Sequence, residues 1–126
     1  MKEFHYDIVR DPEIFEENRL PAHSDHLYYP NKSAIYGDPT GFRFSLNGIW
    51  KFSYARNVES AVPEFYQKDF SALGWDEIRV PACIQMEGYD RPQYVNTQYP
   101  WDGHEEVEPG EIPKEFNPTA SYLKDF

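Results

Sequence analysis

Proline and glycine cut this chain into short pieces. Eleven Pro and seven Gly are spread along its 126 residues instead of being gathered in one tract, which makes them turn punctuation between short elements and not a linker. Long helices do not fit such a chain. A core is still affordable: 40% of the residues are hydrophobic and 17% aromatic, with ten Tyr, nine Phe and three Trp, far more than a coiled coil or a disordered tail carries. The length suits one folded, loop-rich domain.

Charge and cysteine content narrow the partners. Twelve basic against twenty-two acidic residues leave a formal charge of -10, which repels a phosphate backbone or an anionic membrane surface, so neither nucleic acid nor membrane is expected as a partner. Cys83 is the single cysteine, so an internal disulfide and a multi-cysteine zinc site are excluded. The opening MKEFHYDIVRDPEIF is charged throughout and has no apolar run of signal-peptide length. These features together predict a cytoplasmic protein.

Residues 1–40 mix polar, aromatic and Pro residues without a sustained period and read as an extended arm, with one short helical turn after Pro12. Residues 41–126 read as the first part of a β-sandwich. Within GFRFSLNGIWKFSYA, Phe42, Phe44 and Leu46, and then Ile49 or Trp50, Phe52 and Tyr54, alternate about Asn47-Gly48. That predicts two strands joined by a tight turn, or one strand preceded by a bend in a connection. ESAVPEFYQKDF spaces Val62, Phe65 and Tyr66 as in a short helix with Pro63 in its first turn. GWDEIRV reads as a brief strand stopped by Pro81. After it comes a long irregular region, the natural seat of function, and a final β-like run from Ala120. With five or six strand candidates and no helix long enough for a βαβ crossover, the expected class is mainly β, an incomplete sandwich truncated at its C-terminus. Trp50, Phe52 and Tyr122 are then expected to be exposed, with low stability and self-association.

Several constellations carry chemistry on paper. His23 and His26 flank Asp25 but gather no third ligand, so ordinary hydrogen bonds on a solvated arm are expected. His104-Glu105-Glu106 lacks the second His of a zinc-protease motif. Glycoside hydrolysis needs two carboxylates about 5 to 10 Å apart. The acidic run from Asp102 to Glu115 cannot establish such a pair by spacing and reads as a solvated face, with Glu105 and Glu106 on opposite sides. Cys83 reads as a buried, inert thiol, and Asn31-Lys32-Ser33 as an unmodified glycosylation triplet. The cluster Tyr89, Tyr94, Asn96, Tyr99 and Trp101 suits a sugar, since aromatic rings cover its apolar face and an amide both donates to and accepts from its hydroxyls. The same residues equally suit a core with a turn-capping Asn.

Four stretches resemble the opening of the family 2 glycoside hydrolases, and of their β-galactosidase branch in particular: ENRLPAH at 17–23, SLNGIWKF at 45–52, VPACIQMEGYDRPQYVNTQYP at 80–100 and NPTASY at 117–122. The resemblance spans about residues 10–126. It implies a jelly-roll, galactose-binding-like β-sandwich at the start of a longer retaining enzyme that removes terminal β-galactose. It further implies that Asn96 hydrogen-bonds galactosyl hydroxyls in the pocket and that Thr97 lies at the pocket wall. In this family the acid/base and nucleophile are Glu residues on a later barrel, so no catalytic residue is expected in this chain. The parent enzyme is expected to use Mg and Na through residues mostly outside it; Asp11 falls near a cation-holding position, but no bound metal or cofactor is expected here. Ala120 departs from the Gly that commonly follows NPT in relatives. The arm implies contacts with the remaining domains and with other subunits of a homo-oligomer. Two rivals stand beside this reading: a stand-alone carbohydrate-binding module using Tyr94, Asn96, Tyr99 and Trp101, and the equivalent domain of a β-glucuronidase or β-mannosidase.

Overall fold

In the computed structural model, residues 5–17, 19–37, 42–92, 94, 96 and 98–126 are described. Two compact units divide the chain, Met1–Ser45 and Leu46–Phe126.

The first unit has no strand among its described residues. Its described residues include two 3-10 turns, Tyr6–Arg10 and Lys32–Ile35. The helical turn expected after Pro12 is a single reverse turn instead: Ile14 N–H donates to Asp11 O at 3.1 Å, while the Asp11 carboxylate accepts from Glu13 N–H at 2.9 Å. Asn31 caps the second 3-10 turn, its Oδ1 accepting from Ala34 N–H at 3.1 Å.

The second unit is built on three antiparallel strands: β1 Gly48–Ala55, β2 Asp76–Val80 and β3 Thr119–Leu123, in the order β2-β1-β3. The mainly β expectation holds, although the described residues contain three strands and not five or six. No hairpin forms at Asn47-Gly48. Of the two predicted readings, the bend preceding one strand is the one adopted: Gly48 takes φ 128° and opens β1, whose partners come from the distant β2 and β3. Phe42 and Phe44, expected in a strand, are exposed, and Gly41 lies outside the described residues. The helix expected over 59–70 is also absent. Isolated turns replace it, because Pro63 supplies no N–H and Glu64 sits at φ 51°, outside helical geometry.

Strand register determines the core. Trp50, Phe52 and Tyr54 share one face of β1, with Ile78 opposite Trp50, and with Asp76 and Tyr122 flanking Phe52. Phe52 is fully buried and Ile78 nearly so, with Trp50 and Tyr122 half-buried. The expectation that Phe52 would be exposed is therefore wrong. Tyr89 covers it, at 4.5 Å between ring centroids, and Tyr122 packs edge-on at 4.9 Å. The opposite face carries polar partners: Lys51 pairs with Glu77 at 2.9 Å and Ser53 lies across from the buried Ser121.

Candidate functional site

The loop from Pro81 to Asn117 carries the side chains singled out by sequence, and three local devices shape it. At its start, the 3-10 turn Ile84–Glu87 ends on Gly88 at φ 97°, a backbone position that favours glycine. Tyr89 N–H then donates to Ile84 O at 3.1 Å, which aims the ring over β1. The Tyr89 hydroxyl donates to Asp76 Oδ2 at 2.9 Å, and burial followed by this bond raises its pKa above the ordinary 10.0. Tyr89, half-buried, thus packs on the core residue Phe52 and leaves the proposed sugar cluster.

At its far end the loop is tied by Glu105. One Glu105 carboxylate accepts from the backbone N–H groups of Lys114, Glu115 and Phe116, at 2.8 to 3.2 Å. The Lys114 N–H, then the neighbouring amides, hold the Glu105 pKa below its ordinary 4.5. Glu106, beside it, is exposed. The reading of the acidic run as a wholly solvated face therefore fails at Glu105, which organises backbone. Phe116 stacks on His104 at 3.8 Å, Asn57 Nδ2 donates to Lys114 O at 2.8 Å, and Asn117 N–H donates to Arg56 O at 3.0 Å. These contacts anchor the returning chain to the end of β1. Sequence reading missed this carboxylate because its partners are backbone groups, which carry no side-chain signature.

Between the anchors, Asp102 Oδ2 accepts from Tyr99 N–H at 2.9 Å while its own N–H returns to Tyr99 O at 3.0 Å. The turn brings the Tyr99 and Trp101 rings into a parallel stack, 4.9 Å between centroids and with 6° between their planes. This pair forms one wall of a groove of about 630 Å³ whose remaining lining comes from residues 102, 103 and 105–111. Five carboxylates and no basic side chain line it.

Asn96 stands apart from that lining. It is exposed, and its Nδ2 donates to the Tyr94 hydroxyl at 3.2 Å, with Tyr94 itself 85% exposed. Thr97 lies outside the described residues. The predicted cluster therefore divides into three: Tyr89 against the core residue Phe52, Tyr94 with Asn96 on the surface, and Tyr99 with Trp101 at the groove.

The other candidates are plain. Cys83, expected to be buried, is exposed, with Sγ 3.0 Å from Gln85 Oε1, because the proline-bounded segment 81–83 runs over the surface. His23 approaches Pro21 O at 2.9 Å and His26 packs edge-on against Tyr28. Among the described residues no group of three His, Cys, Asp or Glu side chains is placed to hold a metal ion, and no helix is long and apolar enough to cross a membrane.

A small antiparallel sheet bearing one long aromatic and acidic loop defines a mainly β domain. The chain belongs to the glycosyl hydrolases family 2, sugar binding domain, whose family model matches residues 43–126. It is similar to a beta-galactosidase of Halalkalibacterium halodurans, 53% identical over 94% of this chain and 12% of the relative. A beta-galactosidase of Clostridium acetobutylicum is 43% identical over 95% of this chain and 14% of its own length. A beta-galactosidase large subunit of Leuconostoc lactis is 42% identical over 92% and 20%. The chain thus spans only about an eighth of the length of the first two relatives.

Proposed function

We propose that this chain is the amino-terminal, sugar-binding portion of a retaining β-galactosidase, and that it serves assembly and substrate binding, not bond cleavage. The observation carrying this reading is the 53% identity, over nearly the whole chain, to a protein named beta-galactosidase. The loop agrees with it: an exposed Asn96 amide, held through one N–H by the Tyr94 hydroxyl, keeps its oxygen and second N–H for a pair of sugar hydroxyls. In the complete enzyme Asn96 and Thr97 line the galactose pocket, and both catalytic carboxylates come from elsewhere in the parent. The Glu105 carboxylate is committed to three backbone amides, which suits neither an acid nor a nucleophile.

The parent is a cytoplasmic homo-oligomer in this reading, and this chain meets its remaining domains and other subunits. The name "large subunit" on one relative is in keeping with such assembly. Magnesium and sodium are held, in this reading, by residues mostly outside this chain; Asp11 Oδ1 accepts from Glu13 N–H, and among the described residues no group of three ligands forms around it. The test supplies this chain, or its Asn96→Ala variant, to a β-galactosidase that lacks its own amino-terminal segment. Hydrolysis of a chromogenic β-galactoside is restored by the native chain and is roughly ten- to a hundredfold lower with the variant, the loss expected for a substrate hydrogen bond. Equal activity with both would remove Asn96 from the pocket.

A further inference from the structure

The Glu105 anchor has the form of a ligand seated in a receptor site, with both supplied by one chain. We propose that the backbone amides of Lys114, Glu115 and Phe116 form a carboxylate-binding nest, and that Glu105 fills it in cis as an exchangeable latch on the strap 106–113.

Three observations carry this. The first is convergence. Glu105 Oε2 accepts from the N–H groups of Lys114, Glu115 and Phe116 at 2.9, 2.8 and 3.2 Å, and Oε1 shares the Lys114 N–H at 2.8 Å. Successive amides aimed at one point make an anion-binding concavity, and an ionised acceptor gives the stronger class of hydrogen bond. The second is preorganisation: the nest is held on both sides by groups other than its occupant. Asn57 Nδ2 donates to Lys114 O at 2.8 Å and Asn117 N–H to Arg56 O at 3.0 Å, just before β3 begins to pair with β1. Withdrawing the carboxylate therefore leaves the three amides in place without an acceptor, which favours a replacement anion over collapse. The third is the strap. Its tip is a turn of its own, with Gly110 at φ 88° after Pro109 and Glu111 N–H donating to Glu108 O at 2.9 Å. Glu106, Glu108 and Gly110 are exposed, so the Glu105 carboxylate governs the strap from its base. Residues 106–111 also line the groove, and releasing the base reshapes that wall. Among the charged neighbours, Lys114 favours the ionised latch, while Glu106 and Glu115, next to occupant and nest in sequence, oppose it by like charge; His104 lies against Phe116 at 3.8 Å. The amides outweigh the opposing charges, since the Glu105 pKa stays below its ordinary 4.5.

Amide resonances of the isotope-labelled chain test nest and latch separately. In Glu105→Ala the amide protons of Lys114, Glu115 and Phe116 move upfield while those of β1 and β3 stay. Formate then returns them saturably at about 10 to 100 mM, weak as a three-atom ligand must be. Chloride at the same ionic strength gives no such return, and the native chain, its nest filled, does not respond to formate. On acidification below pH 4.5 the same three amides of the native chain shift together before those of β1 and β3 change, a step missing from Glu105→Gln. No return with formate, an equal return with chloride, a formate response in the native chain, or the acid step persisting in Glu105→Gln would each overturn the proposal. So would loss of the β1 and β3 signals in either variant, because the nest would then depend on its occupant.

Discussion

Phe52→Ala is the substitution to which the second unit is most sensitive. Phe52 is fully buried at the centre of β1, and the rings of Tyr89 and Tyr122 lie against it at 4.5 and 4.9 Å. Neither neighbour can collapse into the space left by the ring: Tyr89 is tethered to Asp76 through its hydroxyl, and Tyr122 is fixed by its pairing opposite Phe52. A poorly collapsing Phe→Ala cavity costs about 3 to 5 kcal/mol. A unit of this size has on the order of 4 to 12 kcal/mol to lose, and one with so few buried side chains sits near the lower figure. In urea, with a slope of about 1 to 1.5 kcal/mol per molar, the midpoint should fall by roughly 2 to 5 M, or folding should be lost. Near-ultraviolet circular dichroism of the aromatic cluster reads this directly. Tyr66→Ala is the control, since Tyr66 is 73% exposed and its midpoint should move little. A shift below about 0.5 M for Phe52→Ala would refute the assignment of the core.

Other expectations follow from single contacts. Because the folded Glu105 pKa lies below its ordinary 4.5, its contribution to stability is present above that value and is lost as pH falls through the folded one. Acid unfolding should therefore be less steep in Glu105→Gln than in the native chain, and identical acid profiles would contradict the anchor. Tyr89→Phe removes the bond to Asp76 while keeping the ring, and should cost about 1 to 2 kcal/mol in the same urea titration. Cys83 should react with a thiol reagent in the folded protein at a rate close to that of the urea-unfolded chain, as its exposure requires; strong protection would place it elsewhere.

Strand composition was readable where alternation and a stop signal coincided. Asp76–Val80 ends at Pro81 as GWDEIRVP predicts, and Gly48–Ala55 keeps the period-two aromatics Trp50, Phe52 and Tyr54 on one face. The Asn-Gly pair misled because it promises a hairpin only when the residues before it find pairing partners. Here β1 takes both of its neighbours from far along the chain, so Asn47-Gly48 becomes the entrance to a strand. The helical spacing of Val62, Phe65 and Tyr66 misled in another way: Phe65 turns to the Trp75 ring, 5.8 Å away, and the backbone at Glu64 follows that packing instead of local propensity. At the loop, the residue types for sugar recognition were legible, but not their partition. Tyr89 and Tyr99 look alike in sequence; only the glycine-capped turn before Tyr89 and the aspartate turn around Tyr99 send one ring inward and the other to the groove. Glu105 was invisible for lack of any side-chain partner.

The central claim is that this chain contributes to galactoside hydrolysis without performing it. The most direct measurement is hydrolysis of a chromogenic β-galactoside by the purified chain alone, beside the same chain mixed with a β-galactosidase lacking its amino-terminal segment. The account predicts no turnover above background for the chain alone and recovered turnover in the mixture. Turnover by the chain alone, abolished by replacing carboxylates within it, would contradict the account outright.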